Sequence, residues 1–204
     1  MNLKILSICG VISPVLFVFL TILGAALRPG YSHISDTVSE LFSPGAPNKF
    51  LLDTLHTTTA VLTILFGVGV LQLVRGSQYS RPMGLVGAGM IIAMGVVNVA
   101  TATVFPQDAW GSPPTFQGEM HKILAGVLAI LSILSTLLIG IWLTRADLFP
   151  GFGAYSFVTV GIIVISGGFA VAKLGSPIMG LTERITIIAG LQWTVFLALN
   201  MLSK

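Results

Sequence analysis

The chain has 204 residues, is 54% hydrophobic, and carries only 8% charged residues, where a soluble domain carries roughly 25%. That composition excludes a domain folded in water, and a net charge of +3 scattered at the ends of apolar runs requires no nucleic acid. The single cysteine, Cys9, excludes an internal disulfide and a cysteine metal cluster.

Uncharged runs cover 5–27, 54–74, 82–107, 123–144, 148–172 and 185–203. About 20 helical residues cross a bilayer core of about 30 Å, so each run predicts one membrane span. Barrel strands would alternate in polarity over about 10 residues, and no run does so. The expected fold is all-α: a polytopic bundle of six transmembrane helices in a single domain, 1–204. The spans fall at about 5–27, 51–74, 83–105, 120–143, 151–173 and 184–203. The first run is too long for the apolar core of a signal peptide and lacks a clean cleavage site, so it reads as a retained helix. Pro14 interrupts its hydrogen-bond ladder.

The first loop holds the longest polar stretch, "YSHISDTVSELFSPGAPNKF" at 31–50. Ile34, Val38, Leu41 and Phe42 recur at helical spacing. They predict a short amphipathic helix at about 34–42, started by Ser32 or Ser35 and lying on the membrane or folded over the bundle. At the start of the second span Asp53 and His56 share a helical face. Small residues four apart (Gly84 and Ala88, Gly89 and Ala93, Ser166 and Ala170, Gly168 and Ala172) suit close helix packing, within the chain or in a homo-oligomer. Asn98, Gln192 and Asn200 are amides inside spans; each needs a hydrogen-bond partner there, or, for Asn98 and Gln192, lines a cavity open to the outer face. Loop 3, "FPQDAWGSPPTFQGEMHK", supplies Asp108, Glu119, His121 and Lys122. Loop 5 supplies Lys173, then Thr182 as an expected N-cap of the sixth helix, Glu183 and Arg184.

Six spans put both termini on one side and loops 1, 3 and 5 on the other. Lys and Arg divide five to five, but the terminal side packs its five into far shorter loops, which places the termini in the cytoplasm. All three histidines and six of the seven acids then face outward.

This one-sided chemistry supports three readings. The leading one is an outward-facing polar pocket that binds or processes a lipid headgroup or other amphiphile, walled by the loop-1 helix, the top of the second span and loop 3. Its ligand-binding candidates are Ser35, Asp36, Glu40, Asp53, His56, Asn98, Asp108, Glu119, His121 and Arg184. The second is a small-molecule transporter or flippase, which needs a polar path through the membrane, yet no ionisable residue sits mid-span. The third is a non-catalytic module that packs against partner helices. The expected partner is membrane lipid. His56, His121 and Asp108 are the candidates for acid–base catalysis. No cofactor is expected, though His33, His56, His121 and Asp36 are ligand types for a divalent metal. The plain alternative is a network of ion pairs joining the acids to Arg28, Lys49, Lys122 and Arg184.

"SHISDTVSELFSPGAPN", with "FPQD" before the fourth helix and "LTER" opening the sixth, resembles an uncharacterised six-helix prokaryotic membrane family, domain-of-unknown-function family 998, over essentially the whole chain. Ile34, Ser35 and Asp36, with Pro44 and Asn48, are also similar to the first non-cytoplasmic loop of the Frag/Sfk proteins and damage-regulated autophagy modulators. That second resemblance implies six helices and a link to lipid or GPI-anchor handling; the first implies no activity.

Overall fold

The computed structural model describes residues 2–79, 81–109 and 111–204, with Arg81 described for its backbone only. Six long helices carry the chain: α1 (Leu3–Leu27), α2 (Lys49–Gly76), α3 (Arg81–Thr103), α4 (Phe116–Ala146), α5 (Phe152–Ala172) and α6 (Met179–Leu202). All six are long and apolar enough to cross a membrane, so the chain is an integral, multi-pass membrane protein. Each helix packs against its neighbours in sequence, and α6 closes on α1, making a ring in chain order.

Local chemistry sets the helix ends. The Asn2 side chain accepts from the N–H of Lys4 at the start of α1, and the Thr115 hydroxyl accepts from Gly118 N at the start of α4. Inside the spans, hydroxyls turn back on their own helices: Ser7 bonds Leu3 O, Thr21 bonds Phe17 O and Ser156 bonds Phe152 O. Such back-bonding satisfies a polar side chain where no water is at hand. Ser13 instead crosses to α2, donating to Thr59 O at 2.9 Å.

The core has two parts. At the terminal end, Phe66, Val70, Ile139, Trp142, Trp193 and Leu197 are sealed from solvent. At the end that carries loops 1, 3 and 5, here the loop end, Leu20 and Leu52 pack with Val38, Leu41 and Phe42 of loop 1.

Those three loop residues belong to a five-residue 3-10 helix, Val38–Phe42. The helix expected over 34–42 is therefore only half formed. Asp36 accepts from Ser32 N at 2.9 Å and from the Ser35 hydroxyl at 2.8 Å, closing a turn. The backbone then runs extended through Thr37. Ile34, expected on the apolar face, is 54% exposed. The short helix folds over the bundle, and its apolar side plugs the gap between α1, α2 and α6. Each of its buried apolar side chains, Val38, Leu41 and Phe42, contributes about 1.5–3 kcal/mol.

Helix α6 begins at Met179, so Thr182 lies inside it, bonded to Met179 O, and is not the N-cap. Of the small-residue pairs, Gly84 and Ala88 pack inside the chain, Gly84 against Val74 and Trp142. Ser166 bonds Thr186 on α6 at 3.0 Å. Gly89 and Gly168 face open space.

Candidate functional site

Loop 1 is fastened to the first two turns of α6. Leu181 N, a donor that the start of a helix leaves unpaired, bonds Ile34 O at 2.9 Å. Glu183 accepts from Val38 N at 2.8 Å. The Arg184 guanidinium reaches His33 O and Asp36 O at 2.9 and 2.7 Å, its own-helix Gly180 O at 2.9 Å, and the Tyr31 hydroxyl. Tyr31 donates onward to Thr37 O at 2.7 Å. Burial pushes the Tyr31 hydroxyl up to about 12, against the opposing pull of Arg184. Gly180 lets the two backbones meet, since a Cβ there would lie 2.2 Å from Asp36 O. The "ISD" of loop 1 and the "LTER" of α6 are two halves of one clasp.

Beside the clasp lies a cavity of 410 Å³, within the usual range for ligand pockets. Arg28 enters from the end of α1; Ser35, Asp36 and Glu40 come from loop 1; the turn 175–177 and Met179 close the far wall. Glu40 is only 5% exposed and hydrogen-bonds Thr37. Burial first, then the nearby Asp36 charge, pushes its carboxyl above the ordinary range. Arg28 donates to the backbone carbonyl of Glu40 and lies over the Tyr31 ring.

No ion pair within 4 Å forms among the described residues at this cavity, although Arg28 lies near enough to Glu40 to oppose the effect of burial on its carboxyl. Among the described residues the ion pairs are Lys49 with Asp53 and Lys122 with Glu119, each local to one helix. Arg28, Asp36, Glu40 and Arg184 take part in none, so the expected network of ion pairs does not form around them.

Three of the sequence candidates, Ser35, Asp36 and Glu40, line the cavity. The remainder lie elsewhere. His56 stacks on Phe42 at 4.9 Å, meets Phe17 edge-on and bonds Asn98; its Nδ1 is buried without a partner. One turn away, Asp53 Oδ1 is likewise unpartnered. His121 bridges loop 3 and loop 1, with Nδ1 2.8 Å from Phe105 O and Nε2 3.0 Å from the Ser39 hydroxyl. A carbonyl only accepts, so Nδ1 carries a proton and donates to Phe105 O, while Nε2 pairs with the Ser39 hydroxyl.

Asp108 accepts from Thr115 N at 2.9 Å and from the Thr115 hydroxyl at 2.6 Å, which hold its carboxyl below the usual range. It braces the start of α4, and Gly118 leaves room for it. Glu119 is spent on Lys122, and His33 is exposed. Among the described residues, no three of His, Cys, Asp and Glu gather as a metal ion requires.

Sequence reasoning missed Arg28, assigned there only to ion pairing, together with Ser176 and Met179. The signal available was thin: "GSP" in a short loop reads as an ordinary turn. A second, shallower cavity of 260 Å³ opens at the terminal end of the α5–α6 seam, lined by Phe152, Tyr155, Phe196 and Asn200 among others. Between the two ends the seam carries Tyr155, which donates to Gln192, and the Ser166–Thr186 bond.

A family model described as "Protein of unknown function (DUF998)" matches residues 11–200. None of the curated proteins and none of the solved structures matches the chain.

Proposed function

The chain belongs to the DUF998 family of proteins of unknown function, and we propose that it is a membrane receptor or handling site for the polar end of a lipid or similar amphiphile. The site is the cavity between loop 1 and loop 5, on the outer side of the membrane, with the termini in the cytoplasm. The observation that carries the reading is a 410 Å³ hollow whose wall holds Arg28, Asp36 and Glu40, none of them in an ion pair. Charged groups at a membrane rim that are hydrogen-bonded but have no counter-ion in contact favour a ligand that brings one. Leu27, Leu174 and Ile178, next in sequence to lining residues, are all exposed. They give an acyl chain an apolar exit beside the polar hollow.

The test is to fill the hollow. Ser176→Trp is expected to strip co-purifying phospholipid from the protein, read by native mass spectrometry, while helix content by circular dichroism stays unchanged. Bound lipid that persists unchanged in this variant would exclude the cavity as its site.

A second reading is favoured by the second cavity. Two hollows at opposite ends of the α5–α6 seam, with Tyr155, Gln192, Ser166 and Thr186 between them, suit a headgroup that slides from one leaflet to the other. Vesicles carrying the protein would then equilibrate a fluorescent phospholipid between leaflets faster than protein-free vesicles. Gln192→Leu would slow that exchange; equal rates with and without protein eliminate this reading.

A further inference from the structure

Resting on the headgroup reading, we infer that the cavity selects a zwitterionic phospholipid whose headgroup ends in a primary amine, that is, phosphatidylethanolamine, over choline or purely anionic lipids. The wall carries both signs of charge: one guanidinium, Arg28, and two carboxyl groups, Asp36 and Glu40. Arg28 spends one nitrogen on the Glu40 carbonyl and makes no ion pair, so the rest of its fork is open to a phosphate. A purely anionic headgroup would meet Arg28 but would also face the two acids. A cation alone would leave Arg28 unmatched. A headgroup that is itself a dipole, with phosphate and ammonium a few bonds apart, meets both.

The choice between amines follows from the rest of the wall. A quaternary ammonium has no N–H to donate and is typically held by a cage of aromatic faces. None of the lining residues is aromatic. They offer carboxyl groups and the hydroxyls of Ser35 and Ser176 instead, which suit an ammonium with three N–H donors. Glu40 is the central acceptor: it is buried in the wall and takes its hydrogen bonds from Thr37 alone, which leaves lone pairs for an ammonium, while each Asp36 oxygen accepts from the Ser32–Ser35 turn.

Competition in detergent tests this. The purified protein is incubated with equal amounts of phosphatidylethanolamine, phosphatidylcholine and phosphatidylglycerol carrying the same acyl chains, and the adducts are counted by native mass spectrometry. The ethanolamine lipid is expected to exceed each of the others by about tenfold, the worth of one charge-assisted hydrogen bond. Glu40→Gln is expected to bring it down to the level of the choline lipid without lowering the glycerol lipid. Arg28→Gln should lower all three, and N-acetylation of the ethanolamine amine should abolish its advantage. If the three lipids bind equally, or the glycerol lipid leads, while Ser176→Trp still removes them, the amine selectivity is wrong and the headgroup site survives. If no adduct responds to Ser176→Trp, the site itself fails. Free phosphoethanolamine is expected to compete only weakly; if it displaced the lipid at equal concentration, the occupant would be a soluble amine.

Discussion

Arg184→Ala is expected to release loop 1 from the bundle and to cost about 3–5 kcal/mol of stability. The guanidinium serves His33 O, Asp36 O and the Tyr31 hydroxyl, all from loop 1, and of the two carbonyls only Asp36 O has a second side-chain donor, the Tyr31 hydroxyl at 3.5 Å. A half-buried carbonyl or phenol left without its donor costs about 1–3 kcal/mol. Tyr31 loses the donor that its hydroxyl accepts from, while keeping its own bond to Thr37 O. The readouts are thermal unfolding in detergent and limited proteolysis, with new cleavage expected inside 31–42. Arg184→Lys keeps the charge but loses the fork, so it should recover only part of the loss. Unchanged unfolding and an uncut loop in the alanine variant would mean that the clasp contributes nothing. Asp36 and Glu40 hang from the same loop, so lipid retention should fall in parallel.

This coupling explains which parts of the molecule were legible in the sequence. The six spans were readable because a bilayer demands long uncharged helices, and Lys, Arg, Asp and Glu mark their ends. Loop 1 was misleading for a definite reason. The spacing of Ile34 and Val38 fits one helical face, yet Ile34 is exposed, and the carboxylate of Asp36 is consumed by the Ser32–Ser35 turn. Periodicity reports where apolar groups would lie if the backbone were helical; it does not report a competing side-chain cap.

The clasp was hidden differently. "ISD" and "LTER" were both visible as motifs, but nothing local says that Arg184 seeks carbonyl oxygens about 150 residues away instead of a carboxylate. The cavity was legible only on its loop-1 side. Its other wall is a Gly-Ser-Pro turn whose residue types carry no chemical signal until the ring closes α6 onto α1. His56, Asp108 and His121 drew attention because His and Asp are chemically versatile. The structure spends His121 and Asp108 on bracing loop 3, and sets His56 among Phe17, Phe42 and Asn98.

Gly180→Ala should be nearly as damaging as loss of Arg184, and for a reason that distinguishes the clasp from ordinary packing. The added Cβ would sit 2.2 Å from Asp36 O and 2.8 Å from Arg184 Nη1. Its first neighbour is backbone, so no rotamer change relieves the clash; loop 1 must lift away from α6. Overpacking of this kind costs about 1–3 kcal/mol, and the rigid partner places Gly180→Ala at the upper end. Lifting the loop also pulls Asp36 O and His33 O out of reach of Arg184, so the two substitutions remove largely the same bonds. Their effects should therefore fall well short of additive, with the double variant little worse than Arg184→Ala alone. Gly175→Ala makes a useful contrast. It lies on the cavity wall with a φ of +74° and nothing within 4 Å of its Cβ, so it strains the backbone without touching loop 1. Its cost should add fully to that of Arg184→Ala. Full additivity for Gly180→Ala as well would mean that α6 and loop 1 merely touch, and the hold on Asp36 and Glu40 at the cavity would have to come from elsewhere.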